Sequence, residues 1–72
     1  MTNPKLLREA RLAGGLTFRE VGEAAGLHPS GIANYEARRA WPSAGAASRW
    51  QSALAALLAK RAKAIADILN SL

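Results

Sequence analysis

The sequence predicts an all-α fold, and three observations predict it. Half of the residues are apolar, but much of that half is alanine, the strongest helix former, while Val and Ile are scarce. No run alternates apolar and polar residues with period two, the pattern a half-buried strand needs. Apolar residues recur instead at spacings of three and four, between glycine and proline stops.

The elements follow in order. Asn3-Pro4 starts a first helix, because Asn caps and proline suits the first helical position. Leu6, Leu7, Ala10 and Ala13 form its apolar face, and Gly14-Gly15 stops it. Thr17-Phe18-Arg19-Glu20 is a capping box for a short second helix reaching Ala25, which Gly26 ends. Leu27 turns inward, His28-Pro29 opens a third helix, and Ile32 and Tyr35 share its buried face. Trp41-Pro42 closes that region, since the residue before a proline avoids helical geometry. From Ala46 onward there is neither glycine nor proline, and Trp50, Leu54, Leu57, Leu58, Ile65, Ile68, Leu69 and Leu72 make a broad stripe. One long helix, or two with little break, is expected; about 25 continuous residues would run roughly 37 Å.

A chain of 72 residues allows one domain. At this size folding buries only about 60% of the unfolded surface, so a monomer is marginal. With no cysteine and no evident metal cluster, the remaining support is a partner subunit. Cysteine-free composition, no export signal and no apolar run of membrane-spanning length together predict a cytoplasmic protein without a membrane partner. The net charge of +5 favours an anionic partner.

Residues 17 to 43 carry the informative pattern. Two helices joined by a tight turn need a capped first helix, a small residue where they cross, a plug under the turn, and an apolar inner face on the second helix. Thr17 to Glu20 supply the cap, Val21 and Ala25 face inward, and Gly22 permits close approach. Gly26 makes the turn, Leu27 plugs it, and Ile32 and Tyr35 complete the core. This is a helix-turn-helix. The expected architecture is a compact four- to five-helix bundle containing it, with residues 1–45 as the DNA-binding core and 46–72 as a C-terminal helix for core completion and dimerisation.

The stretch LREARLAGGLTFREVGEAAGLHPSGIANYEARRAWPS resembles the Cro and phage-repressor helix-turn-helix family, also called the XRE family. The resemblance covers about residues 5 to 54. It implies a transcriptional regulator, a repressor or autorepressor, that binds a palindromic operator in double-stranded DNA as a homodimer, with the helix near Pro29 as recognition helix. Carried over by position, Pro29, Ser30, Ala33 and Asn34 face the major groove. The Asn34 amide suits an adenine edge, Ser30 a base or phosphate, and Pro29 and Ala33 a thymine methyl. Phosphate contacts fall to Thr17, Phe18, Arg19, His28 and Arg39. The resemblance also pairs Arg11 with Glu36 in a partly buried ion pair.

The sequence departs from the family pattern at three places. Phe18 stands where a glutamine commonly meets a phosphate, so that backbone contact must differ. Arg38 stands where a glycine often ends the third helix, which predicts a helix running further. Its spacing from Ser30 and Asn34 would then place Arg38 on the groove-facing side as a base contact. Ala44, Ala46, Ala47 and Ser48 replace larger aliphatics, weakening the monomer core and strengthening the case for a dimer.

Some residues carry plainer readings. His28 reads as a helix cap within reach of a phosphate, since no second His or Cys completes a metal or catalytic site. Trp41 and Trp50 read as core or interface plugs. Residues 16 to 43 balance Arg19, Arg38 and Arg39 against Glu20, Glu23 and Glu36, so the basic surplus lies in flanking residues. Among these, Lys60, Arg61 and Lys63 suit a DNA-tracking cluster and a solvated helix face equally. Leu58, Ala62, Ile65, Leu69 and Leu72 keep a four-three spacing and form the expected dimer seam; folding back onto the core is the other reading. A second function class is an interaction module that binds a partner protein through this helix, as antitoxins of the family bind toxins. No paired acids, activated nucleophile or phosphate loop points to an enzyme, and no cofactor is expected.

Overall fold

A computed structural model of the chain describes residues 3–72, so the first two residues of the expected 1–45 unit lie outside it. Four helices run in the order α1 (Pro4–Ala13), α2 (Phe18–Ala25), α3 (Pro29–Glu36) and α4 (Ala44–Asn70). Among the described residues there is no strand. The chain is all-α, as its alanine content and helical periodicity require.

Each helix starts where a side chain replaces a missing backbone partner. Asn3 Oδ1 accepts from the Leu6 amide at 3.2 Å. Thr17 Oγ1 accepts from the Glu20 amide at 3.0 Å while the Thr17 amide donates to Glu20 Oε1 at 3.1 Å, completing the capping box. Leu16 and Val21 flank this box and both are buried, a hydrophobic staple that fixes the entry of the chain into α2. Ser43 Oγ accepts from the Ala46 amide at 3.1 Å and starts α4 at Ala44, two residues before the expected boundary.

The first three helices end with one shared device. A residue with positive φ is followed by an amide that bonds back to the carbonyl five residues earlier, which satisfies the orphan carbonyls of the last turn. Gly15 (φ 63) precedes Leu16, whose amide reaches the Arg11 carbonyl at 3.0 Å. Gly26 (φ 69) precedes Leu27, whose amide reaches the Gly22 carbonyl at 2.8 Å. At the end of α3 the positive-φ residue is Arg38 (φ 60), and the Arg39 amide reaches the Asn34 carbonyl at 2.9 Å. The expected extension of the third helix is therefore corrected: α3 stops at Glu36, and Arg38 itself adopts the left-handed conformation that the missing glycine would have taken.

The core is one cluster, Leu16, Val21, Ile32, Trp50 and Leu54, with Leu7, Ala10, Phe18, Leu27, Tyr35, Leu57 and Leu58 packed around it. Tyr35 and Trp50 stack in a tilted arrangement with ring centroids 5.6 Å apart. The alanines at the start of α4 let that helix lie close: Ala46 and Ala53 are buried, and Trp50 fills the space they leave. Trp50 is a core plug at 1% exposure; Trp41 is not in the core but stands 73% exposed in the α3–α4 loop, which leaves it the interface reading.

α4 is a single helix of 27 residues, about 40 Å long. Its first half packs mainly across α2, with further contact to α1. Leu57 and Leu58 are half-buried, and every residue from Ala59 onward is exposed. The molecule is correspondingly elongated, 44 × 22 × 18 Å.

Candidate nucleic-acid interface

α2 and α3 meet across a turn of three residues, 26–28. Gly22 sets how closely they meet: a Cβ there would lie 2.6 Å from the Leu27 carbonyl oxygen and 3.2 Å from the Pro29 nitrogen. Only glycine allows the start of α3 to pass so near α2. Leu27 packs against the core beneath the turn, and Ile32, fully buried, anchors the inner side of α3. Periodicity then leaves the opposite side of α3 outward.

His28 caps α3. Its Nδ1 accepts from the Ser30 amide at 3.1 Å and lies 2.7 Å from Ser30 Oγ. Accepting at Nδ1 leaves the proton of a neutral imidazole on Nε2, where it can be donated to an anion. Ser30 is exposed, Pro29, Ala33 and Asn34 are half-buried, and no hydrogen bond within the described residues uses the Asn34 amide. The amide is thus left to water, or to a base edge that displaces it.

The start of α2 contributes differently from what its sequence position suggests. The Phe18 ring turns inward onto the core, and the Arg11 guanidinium lies over it at 4.1 Å. What Phe18 offers a phosphate is its backbone amide, one of the unpaired donors of the first helical turn. Thr17 keeps its hydroxyl proton free while its oxygen serves the cap. Arg19 is exposed and lies 3.6 Å from Glu23, an open surface pair that costs little to break.

Arg11 joins α1 to the end of α3. Its Nε donates to Glu36 Oε2 at 2.6 Å and its Nη2 to Glu36 Oε1 at 3.0 Å, a bidentate fork, while Nη1 donates to the Leu16 carbonyl at 2.9 Å. The Arg11 and Glu36 side chains are 11% and 4% exposed. The partly buried pair implied by the resemblance is present, and it holds α3 at a fixed angle to α1.

A second ion pair had no signal in the sequence. Arg61 Nη2 on α4 lies 2.7 Å from Glu20 Oε2, 41 positions away, so α4 is tied to the capping box of α2. The backbone bond from Thr17, and then the Arg61 charge, hold the Glu20 carboxyl below its usual pKa. The stabilisation linked to this shift is present above the ordinary carboxylate range and fades as pH falls through the lowered value. Of the expected basic cluster, Arg61 is thus engaged with Glu20, Lys63 lies 3.8 Å from Asp67, and Lys60 is exposed.

The expected seam divides in two. Leu58 is half-buried against the core, close to Gly14, whereas Ala62, Ile65, Leu69 and Leu72 are exposed. Among the described residues no group of His, Asp and Glu converges as a metal site, and no helix is long and apolar enough to cross a membrane.

A capped helix, a glycine crossing, a plugged turn and an outward-facing second helix define a helix-turn-helix protein. The helix-turn-helix family model of the Cro/C1 type matches residues 7–71, and the chain belongs to this family, also called XRE, of DNA-binding transcription regulators. No curated protein and no solved structure matches the chain.

Proposed function

We propose that the protein is a repressor or autorepressor that reads a palindromic operator as a homodimer, with α3 in the major groove. The observation that carries this reading is the end of α3. At the two other helix ends of the same construction, the chain places glycine at the left-handed position and leucine after it, Gly15-Leu16 and Gly26-Leu27. These are the choices stability favours. At the end of α3 the same two positions hold Arg38 and Arg39, both exposed. A non-glycine residue at positive φ costs about 1 kcal/mol or more, and such strain gathers at functional sites. Two cations kept there at a cost to the fold suit a polyanion lying along α3.

In this reading Asn34 bonds a base edge, Ser30 a base or phosphate, and Pro29 and Ala33 pack on thymine methyls. Thr17, the Phe18 amide, Arg19, His28 and Arg39 hold phosphates. The helical register that placed Arg38 over the bases ended with α3 at Glu36, so its role as a base contact rests on its exposure just past the end of α3. The two-fold comes from Leu58, Ala62, Ile65, Leu69 and Leu72. The exposed half of α4 also supports the second reading, a partner protein bound on the same helix.

The test is fluorescence anisotropy with the protein's own upstream DNA and a scrambled duplex across a salt series. Tight binding to the first alone is expected; equal, weak binding to both would remove the autorepressor. Asn34→Ala should relax preference at one base position and cost about 1–3 kcal/mol there. Arg39→Ala should weaken binding to every duplex and flatten the salt slope by about one unit. Arg38→Gly should raise stability by about 1 kcal/mol in urea titration, as strain is relieved, and weaken DNA binding. If that variant keeps full affinity, the strained arginine has no part in DNA recognition.

A further inference from the structure

We infer that the second half of α4 is an arm that packs antiparallel against the arm of a second copy, with the two-fold axis beside Ile65. The partner's Leu72 would then reach the hollow between α1 and α4. This rests on the homodimer reading and specifies its direction and register.

The arm continues the face that builds the core. Trp50, Leu54 and Leu57 point inward, and steps of three and four residues carry the same face on through Arg61, Ile65, Ile68 and Leu72. Beside them, Leu58, Ala62 and Leu69 widen it. Past Arg61, which Glu20 holds, this face is left open by the described residues, and Ile65, Ile68, Leu69 and Leu72 are between 58% and 97% exposed. Four large aliphatics in one contiguous strip mark a contact surface.

Where the arm leaves the body it is flanked by two open hollows. One, about 320 Å³, lies against the end of α1, between Ala10, Ala13 and Gly14 on one side and Leu58, Ala62 and Ile65 on the other. The second, about 500 Å³, lies across Arg61, with Leu57, Ile65 and Ile68 in its wall. A seam of two heptads is short for a free-standing coiled coil, which needs three or four. The hollows supply the missing apolar surface.

Three features select a second copy in this orientation. The first is steric. The face offered by the arm is the face on which α1 and α2 sit lower down α4, so two copies aligned in the same direction would drive their bodies together. Opposed copies place the bodies at opposite ends. The second is register. About Ile65 the seam is self-complementary: Leu58 opposes Leu72, small Ala62 opposes large Leu69, and Ile65 meets its own counterpart, as an isologous contact requires. The third is charge. Arg61 is the one charged residue on this face, and Glu20 of the same chain already holds it at 2.7 Å, while Lys60, Lys63 and Asp67 point the other way. Two such faces meet without an unbalanced charge, whereas an acidic partner would find no free cation on the strip.

The absence of cysteine makes the register directly readable. Ala62→Cys and Leu69→Cys are made separately in the full chain, and each is oxidised alone and as an equimolar mixture after subunit exchange. In the antiparallel arrangement two copies of residue 62 lie about 9 Å apart along the axis and two copies of residue 69 about 12 Å, too far for a disulfide, while 62 and 69 face each other. The expected result is a cross-linked dimer from the mixture and little from either variant alone. Efficient cross-linking of each variant with itself would overturn the antiparallel direction. A dimer that gives no cross-link in the mixture would overturn the register and leave dimerisation standing. A monomeric mass for the unaltered chain in sedimentation would overturn the homodimer reading too and assign the arm to a different protein. Ile65→Glu completes the test: as a change on an exposed position it should leave helical circular dichroism intact and halve the mass, and an unchanged mass would remove Ile65 from the axis.

Discussion

Trp50→Ala will leave the domain at the edge of unfolding. Trp50 is the largest fully buried side chain, and it touches α3 through Tyr35 as well as closing the core formed with Leu16, Val21, Ile32 and Leu54. Its neighbours on α4 facing the core, Ala46 and Ala53, are too small to collapse into the space. Truncating a buried Trp costs about 3–5 kcal/mol. A chain of this length has roughly 4–11 kcal/mol of stability in all, at the usual 0.05–0.15 per residue. Urea titration followed by circular dichroism should show a midpoint lowered by at least about a quarter, or no folded baseline. A loss below about 1 kcal/mol would mean that α4 does not close the core through this residue. Trp50→Phe should recover most of the loss, since it keeps an aromatic ring against Tyr35.

Glu36→Ala will cost a comparable amount by a different route. The substitution removes little apolar surface but leaves the Arg11 guanidinium, itself mostly buried, with the Leu16 carbonyl as its remaining hydrogen-bond partner besides the Phe18 face. Breaking one side of a buried pair costs about 3–5 kcal/mol, because the surviving charge stays desolvated. Arg8, 4.0 Å from Glu36, is itself a cation and cannot replace the lost carboxylate. The double variant Arg11→Met with Glu36→Leu should be far less damaging than either change alone, since it removes both charges together. If the double variant is as unstable as the sum of the singles, the pair contributes by position and not by mutual neutralisation. Because the pair fixes α3 relative to α1, DNA affinity should fall in Glu36→Ala even where folding is rescued by low temperature.

Much of this architecture was legible in the sequence because its signals are local. Asn3, Thr17 with Glu20, and the Gly14-Gly15 and Gly26 stops each act within one turn of helix, and each behaves as its residue type requires. The Leu16–Val21 staple was equally legible in principle, since an apolar residue precedes the cap and another follows it by four positions. What was not legible depends on residues elsewhere in the chain. Nothing local to Arg38 forbids a continuing helix, yet the backbone turns there at a residue with the wrong propensity. Trp41 and Trp50 are indistinguishable by composition, and only the tertiary packing puts one in the core and the other in solvent. The Arg61–Glu20 pair joins residues 41 positions apart, beyond any periodicity.

The sequence by itself determined the helices, their caps, the crossing at Gly22 and the family to which the chain belongs, since these depend on backbone chemistry within a few residues. The tertiary structure decided where α3 ends, which tryptophan is buried and how much of the α4 stripe is covered. The reason for the last is length. α1, α2 and α3 have 10, 8 and 8 residues against the 27 of α4, so the body ends near Leu58 while the apolar stripe runs on. Periodicity specifies which face of a helix is apolar. What lies against that face depends on how far its neighbours reach.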